Sequence, residues 1–156
     1  MDSWAADFDN WAIVDGTCGH LFCRSPLAYK KVGEWSEREE GFIKRAGIVL
    51  IAWLAVHDKK ASDDKIAEFL PLLEKYSSDD RNFVKKAVNW SLRSIGKRSL
   101  FLNGLAIDAA NRIKVLGSKP ARWIAADALR ELTSESVRQR LETKQAKALA
   151  RHMKSY

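Results

Sequence analysis

Apolar residues recur at intervals of three and four over most of the chain, the period of a helix with one buried face. Sustained two-residue alternation bounded by hairpin turns is lacking, so the pattern predicts helices and little strand. The three prolines and most of the eight glycines fall between the apolar-periodic stretches. Seven helices are expected, over 3–14, 26–33, 37–57, 63–76, 79–96, 99–116 and 119–131, followed by a basic helical tail from 134 to about 153. Ser36 with Glu39 reads as a capping box. Ser62, Ser78 or Asp79, Ser118 with Pro120 just inside, and Thr133 or Ser134 offer further caps. Gly96, Gly104 and Gly117 are expected to end helices.

The pattern also repeats. "GFIKRAGIVL" at 41–50 aligns with "NFVKKAVNWSL" at 82–92, so that Phe42 matches Phe83, Lys44 matches Lys85, Arg45 matches Lys86 and Ala46 matches Ala87. A fainter copy lies in "PARWIAADALREL" at 120–132. A helical repeat of about 40 residues predicts an all-α, HEAT-like helical repeat solenoid, an α-α superhelix with a concave basic groove. An irregular helical bundle with chance similarity is the alternative.

The segment 82–98 carries a tryptophan among its cations. On a helical wheel with Lys86 at zero, Trp90 falls at about 40°, Arg93 at about −20° and Lys97 at about 20°. Val84, Ala87, Val88, Ser91, Leu92 and Ile95 gather on the far side, near about 170°. Trp90 is thus phased away from the expected core, although tryptophan ordinarily goes where its area is buried. In a stack of repeats, Arg45 and Lys86 would face one groove. An arginine within the apolar segment that runs to Leu54 is costly unless it meets a partner or an opening. Spaced cations suit a phosphate backbone, and an aromatic face among them suits a sugar or base. Alternatively, the cations form a solvated face and Trp90 packs on the neighbouring repeat.

Trp11 and Asp15 are four residues apart and share a helical face. A carboxylate beside an aromatic ring can stabilise a developing cation. A core tryptophan with a surface aspartate would give the same spacing. Asp7 and Asp9 read as solvated or capping acids.

Composition narrows the partners. The 156 residues are 46% hydrophobic and 30% charged, the balance of one soluble globular domain spanning 1–156. A net charge of +7 favours a polyanion, either nucleic acid or an anionic membrane. The longest apolar run, 47–56, is too short to span a bilayer. The N-terminus lacks a basic region followed by an apolar stretch, so no signal peptide is read and a cytoplasmic protein is expected. "CGHLFC" at 18–23 brings Cys18, His20 and Cys23 together without a fourth ligand, so both cysteines are expected to be small buried residues rather than zinc ligands. His57 and His152 have no Cys or Ser partner at a nucleophilic spacing, and no Gly-rich phosphate loop is present. The tail from Arg138 to Lys154 holds six basic residues and only Glu142 among acids. Such a helix can lie along DNA or a membrane, or simply cap the stack.

"WAIVD", "EREEGFIKRAGIVL", "HDKK", "NFVKKAVNWSLRSIGKR" and "ARWIAADALREL" together resemble the alkylpurine DNA glycosylase family built from HEAT-like repeats, the DNA alkylation repair enzymes. The similarity runs to about residue 141, and its most specific stretch is F-V-K-K-A-x-x-W-x-L-R. The resemblance implies excision of N3- and N7-alkylated purines from double-stranded DNA by hydrolysis of the N-glycosidic bond. It implies a monomer that holds DNA in the concave groove, at the nucleoid, with no metal, cofactor or membrane. It places the catalytic aromatic pair and carboxylate on Trp11, Trp90 and Asp15. It places phosphate binding on Arg45, with Lys86, Arg93 and Lys97 as further DNA-binding cations. Relative to the family pattern, the resemblance implies further N-terminal helices that are expected to be missing here. That departure is expected to remove part of the DNA surface and one wall of the cleft. A non-catalytic DNA-structure-binding protein and a protein-interaction solenoid are the competing classes.

Overall fold

The computed structural model describes residues 1–154, apart from the side chains of His152 and Lys154, so the reading of His152 lies outside the described residues. The described chain is all-α, with no strand. Ten α-helices follow in order: α1 (Asp2–Ala5), α2 (Trp11–His20), α3 (Ala28–Ser36), α4 (Gly41–His57), α5 (Asp63–Ala67), α6 (Leu70–Tyr76), α7 (Asn82–Gly96), α8 (Leu100–Val115), α9 (Lys119–Leu132) and α10 (Glu135–Lys154). A short 3-10 turn spans Phe22–Arg24.

The expected boundaries shift wherever local chemistry or packing intervenes. The helix expected over 3–14 divides, because Asn10 accepts a hydrogen bond from the Ile13 amide and starts α2 afresh. Ser36 does not open a helix. It ends α3 fully buried, with its hydroxyl donating to the Gly33 carbonyl, and α4 begins at Gly41 after Glu40. The helix expected over 63–76 divides ahead of Pro71, which stands in the first turn of α6, where its missing N–H costs nothing. Asp79 does not cap α7; its carboxylate accepts from the Arg81 amide and pairs with the Arg81 guanidinium. Gly104 lies inside α8, whereas Gly117, at φ +73°, follows its end. Ser62, Ser99, Ser118 and Ser134 each accept from an amide three residues on.

Helices α4, α7 and α9 pack side by side, with α2 against α4 and with α3, α6 and α8 flanking them. The matched residues of the sequence repeat meet in space. Phe42 and Phe83 stack with ring centroids 4.9 Å apart. Ser91 donates to the Ile48 carbonyl at 2.7 Å, and Asn89 to Asp127 at 2.7 Å. Lys75–Glu37 and Arg112–Glu74 join the flanking elements at the same offset of 38 residues. The buried face of α7 is the one read from the wheel, since Val84, Ala87, Val88, Leu92 and Ile95 are fully enclosed.

Close packing between α3 and α4 depends on Gly47. A Cβ there would fall 2.5 Å from the Ser36 nitrogen and 2.9 Å from the Trp35 carbonyl carbon. These are backbone atoms, so α3 itself would have to move. Gly47→Ala is expected to cost at least about 1–3 kcal/mol, the usual range for overpacking. Thermal melting checks this; an unchanged midpoint would show that the interface yields without cost.

Candidate functional site

The Asn10 cap fixes the phase of α2. Val14 and Cys18 then turn inward, and the Cys18 thiol lies 3.7 Å from the Ala46 carbonyl of α4. Trp11 and Asp15, one turn apart, occupy the neighbouring face. Trp11 is 61% exposed, while Asp15 is partly buried.

Arg45 meets Asp15 as a two-pronged pair: Nε donates to Oδ1 at 2.9 Å and Nη2 to Oδ2 at 2.7 Å. The third arm, Nη1, donates to the Phe83 carbonyl in the first turn of α7. Arg45 is only 6% exposed. Its burial within the apolar run is thereby compensated by a carboxylate and a carbonyl. One guanidinium links α2, α4 and α7 and fixes the orientation of the Asp15 carboxylate.

Trp90 is half-buried and meets Trp53 of α4 edge-on, centroids 5.7 Å apart at 77°. Trp53 stacks in turn on His57 at 5.1 Å. A Cβ on Gly19 would lie 2.4 Å from the Trp53 ring, so only glycine lets α2 approach this closely. The Trp53 Nε1–H is buried without a hydrogen-bond partner among the described residues. No ring contact joins Trp11 to Trp90 among the described residues.

The cations divide into two groups. Arg93 pairs with Asp127 at 3.2 Å and with Glu131, and Lys97 reaches Glu131 at 2.8 Å. Burial alone would raise the Glu131 carboxyl, but hydrogen bonds from Arg93 and Lys97 outweigh it and hold the group below the usual carboxylate range. Lys86 is exposed, with no hydrogen bond or ion pair among the described residues. Lys85, outside the expected stripe, lies over the Trp123 ring at 4.7 Å.

Two hollows adjoin the aromatic pair. The larger, about 880 Å³, is lined by Trp53 and His57 together with His20, Arg24, Tyr29 and Asp58. Tyr29 donates to Asp58 at 2.9 Å. Burial, reinforced by that hydrogen bond, pushes the Tyr29 hydroxyl up to about 12. The smaller, about 330 Å³, is lined by Trp90 and by cations of the α4–α5 loop, the α7–α8 loop and α10. Cys18 is buried, Cys23 donates to the Gly19 carbonyl, and His20 is exposed. Among the described residues no group of three or more His, Cys, Asp and Glu is placed to hold a metal. No helix there is long and apolar enough to cross a membrane.

The sequence reading missed Trp53. It stands in an apolar run, where an aromatic residue reads as core filling. The signal that marks it is the pairing with His57 four residues on, an aromatic face repeated one turn later.

The family described as DNA alkylation repair enzyme matches residues 1–132. The match takes in Trp11, Asp15, Arg45, Trp53 and Trp90 and ends at the close of α9. No curated protein and no solved structure gives a match.

Proposed function

The chain belongs to the DNA alkylation repair enzyme family and takes DNA as its substrate, and on that premise we propose that it is a DNA glycosylase. The bond it hydrolyses is the N-glycosidic bond of N3- and N7-alkylated purines. Asp15 stabilises the sugar cation and aligns water, and Trp11 and Trp90 contact the deoxyribose. The neighbouring helices, whose equivalent residues touch at offsets near 40, act as a HEAT-like solenoid that offers DNA a shared face.

The observation that carries this reading is the Asp15 carboxylate, fixed by Arg45 one helical turn from the exposed face of Trp11. A purine alkylated at N3 or N7 is already cationic and leaves without prior protonation. As it leaves, C1′ gains oxocarbenium character, as in other glycoside hydrolyses. Nearby negative charge lowers the energy of that state. Arg45 occupies two of the roughly four lone-pair directions of the carboxylate, leaving the others for the sugar cation and a water. Water attacks C1′ as the glycosidic electron pair departs with the purine, and the water's proton passes to solvent through Asp15.

Arg45 serves this site mainly by orientation. Three of its donors are engaged within the protein, which leaves at most two N–H groups for a phosphate. Lys86 is the freest of the backbone-binding cations. Arg93 and Lys97 contribute to the same surface only when DNA competes with Glu131 and Asp127.

The decisive assay incubates the protein with duplex DNA containing 7-methylguanine and scores abasic sites against undamaged duplex. Binding without abasic sites overturns the glycosylase reading in favour of a DNA-structure-binding protein. Trp90→Ala is expected to slow release by up to about 30-fold, the equivalent of one cation–π contact of about 0.5–2 kcal/mol. Its melting temperature should fall less than a buried aromatic deletion of about 3–5 kcal/mol would produce. A core-sized loss of stability with normal release by the folded fraction would reduce Trp90 to a packing residue.

A further inference from the structure

Helix α10 follows the part of the chain that the family matches. Val137 and Leu141, one turn apart and buried, dock it on α8 and α9. This anchoring sets the rotation of the helix. Arg140 and Lys144 each follow a docked residue by three positions, so both lie along one edge of the buried stripe. That edge overhangs the hollow of about 330 Å³ that Trp90 lines.

Five cations line the same hollow: Lys59, Lys97, Arg98, Arg140 and Lys144, with no carboxylate in its wall. Two have acidic partners outside it, Lys97 in Glu131 and Arg98 in Asp63. Among the described residues the other three make no ion pair, although Asp63 acts on Lys144 from a distance. Lys59 donates to the Val56 carbonyl and Lys144 to the Arg98 carbonyl, while Arg140 makes no hydrogen bond or ion pair among the described residues. The segment 135–156 holds six basic residues and two acids, a surplus of four in a chain whose net charge is +7. Burial, and then the positive charges of Lys59 and Arg98, push the Lys144 ammonium below its ordinary range. A docked helix that brings unpaired cations together at an aromatic side chain is costly as it stands. A bound anion would relieve the repulsion.

We infer that Lys59, Arg140 and Lys144 form a phosphodiester-binding site beside Trp90, through which α10 grips the DNA backbone next to the sugar that Trp90 contacts. The site rests on the reading of Trp90 as a deoxyribose contact. It adds to that reading a clamp supplied by the chain beyond the family match. The exposed large apolar residues of α10, Leu149 and Met153, are too few to make the helix a membrane anchor in its own right.

The test uses undamaged duplex DNA, so it does not depend on base release. Binding is titrated over a range of salt concentrations for the full chain, for Arg140→Gln with Lys144→Gln, and for Arg138→Gln as control, since Arg138 is paired with Glu142. Each lost phosphate contact lowers the slope of log K against log salt by about 0.9, so the double variant should lose about 1.8 and the control less than half of that. Because Lys144 also tethers α10, Arg140→Gln is measured alone, with an expected loss of about 0.9. Equal slopes for the full chain and both variants overturn the site. So does a slope change confined to a double variant that has lost helix content. Retention on anionic lipid vesicles that the double variant abolishes, with its DNA slope unchanged, assigns the basic edge to a membrane and also overturns it. A normal salt response with no abasic sites on methylated DNA would refute the glycosylase reading and leave this site standing.

Discussion

Asp15→Asn is expected to lower release of 7-methylguanine by about 10²–10³-fold, the usual effect of removing one preorganised charge from a transition state. Asparagine keeps the shape and one acceptor oxygen, so Arg45 retains part of its anchorage. The negative charge that the proposed mechanism sets against the developing sugar cation is lost. Single-turnover release at saturating enzyme separates this from weaker binding, which should change little. The fraction folded must be measured beside it, because Asp15 is also half of an ion pair that holds α2 on α4. Unchanged release by a folded Asp15→Asn variant would remove Asp15 from the mechanism.

The largest loss of stability is expected from Arg45→Met. Methionine refills much of the volume but none of the three hydrogen bonds. The Asp15 carboxylate is then left partly buried and unpaired, and the Phe83 carbonyl keeps only its donor within α7. Breaking a buried pair from one side costs about 3–5 kcal/mol, and residual exposure of Asp15 favours the lower end. Urea unfolding measures the difference. In the double variant Arg45→Met with Asp15→Leu much of that loss should be recovered, because no orphan charge remains. A single variant as stable as the parent would show that the pair contributes nothing to the fold. Release should fall as well, since an Asp15 freed from its guanidinium no longer holds a fixed orientation.

Much of the architecture could be read from the sequence because it is written twice. The match of Phe42 to Phe83 emerges in space as a stacked pair. The apolar side of α7 is the side that is buried, and Ser62, Ser118 and Ser134 accept the expected amide hydrogen bonds. The helix starts that were misplaced depend on contacts distant in sequence. Ser36 has the spacing of a cap, yet it is covered by the backbone of α4 at Gly47, a contact no local rule contains. The expense of an arginine amid apolar residues was visible at Arg45, but its partner stands 30 residues away on another helix. Trp53 was concealed for the opposite reason. Its immediate neighbours in the chain are all apolar, so beside His57 one turn later only the gap at Gly19 and the edge of Trp90 distinguish it from ordinary filling.

The indole of Trp53 occupies the space that a side chain at residue 19 would need, with Trp90 at its edge. A ring pressed so tightly acts as an incompressible spacer. Tilting α2 to reposition its acid would push through that spacer onto α7, and a nucleic-acid strand leaning on α7 would push back the same way. A displacement of either helix is therefore expected to be felt by the other through this one ring.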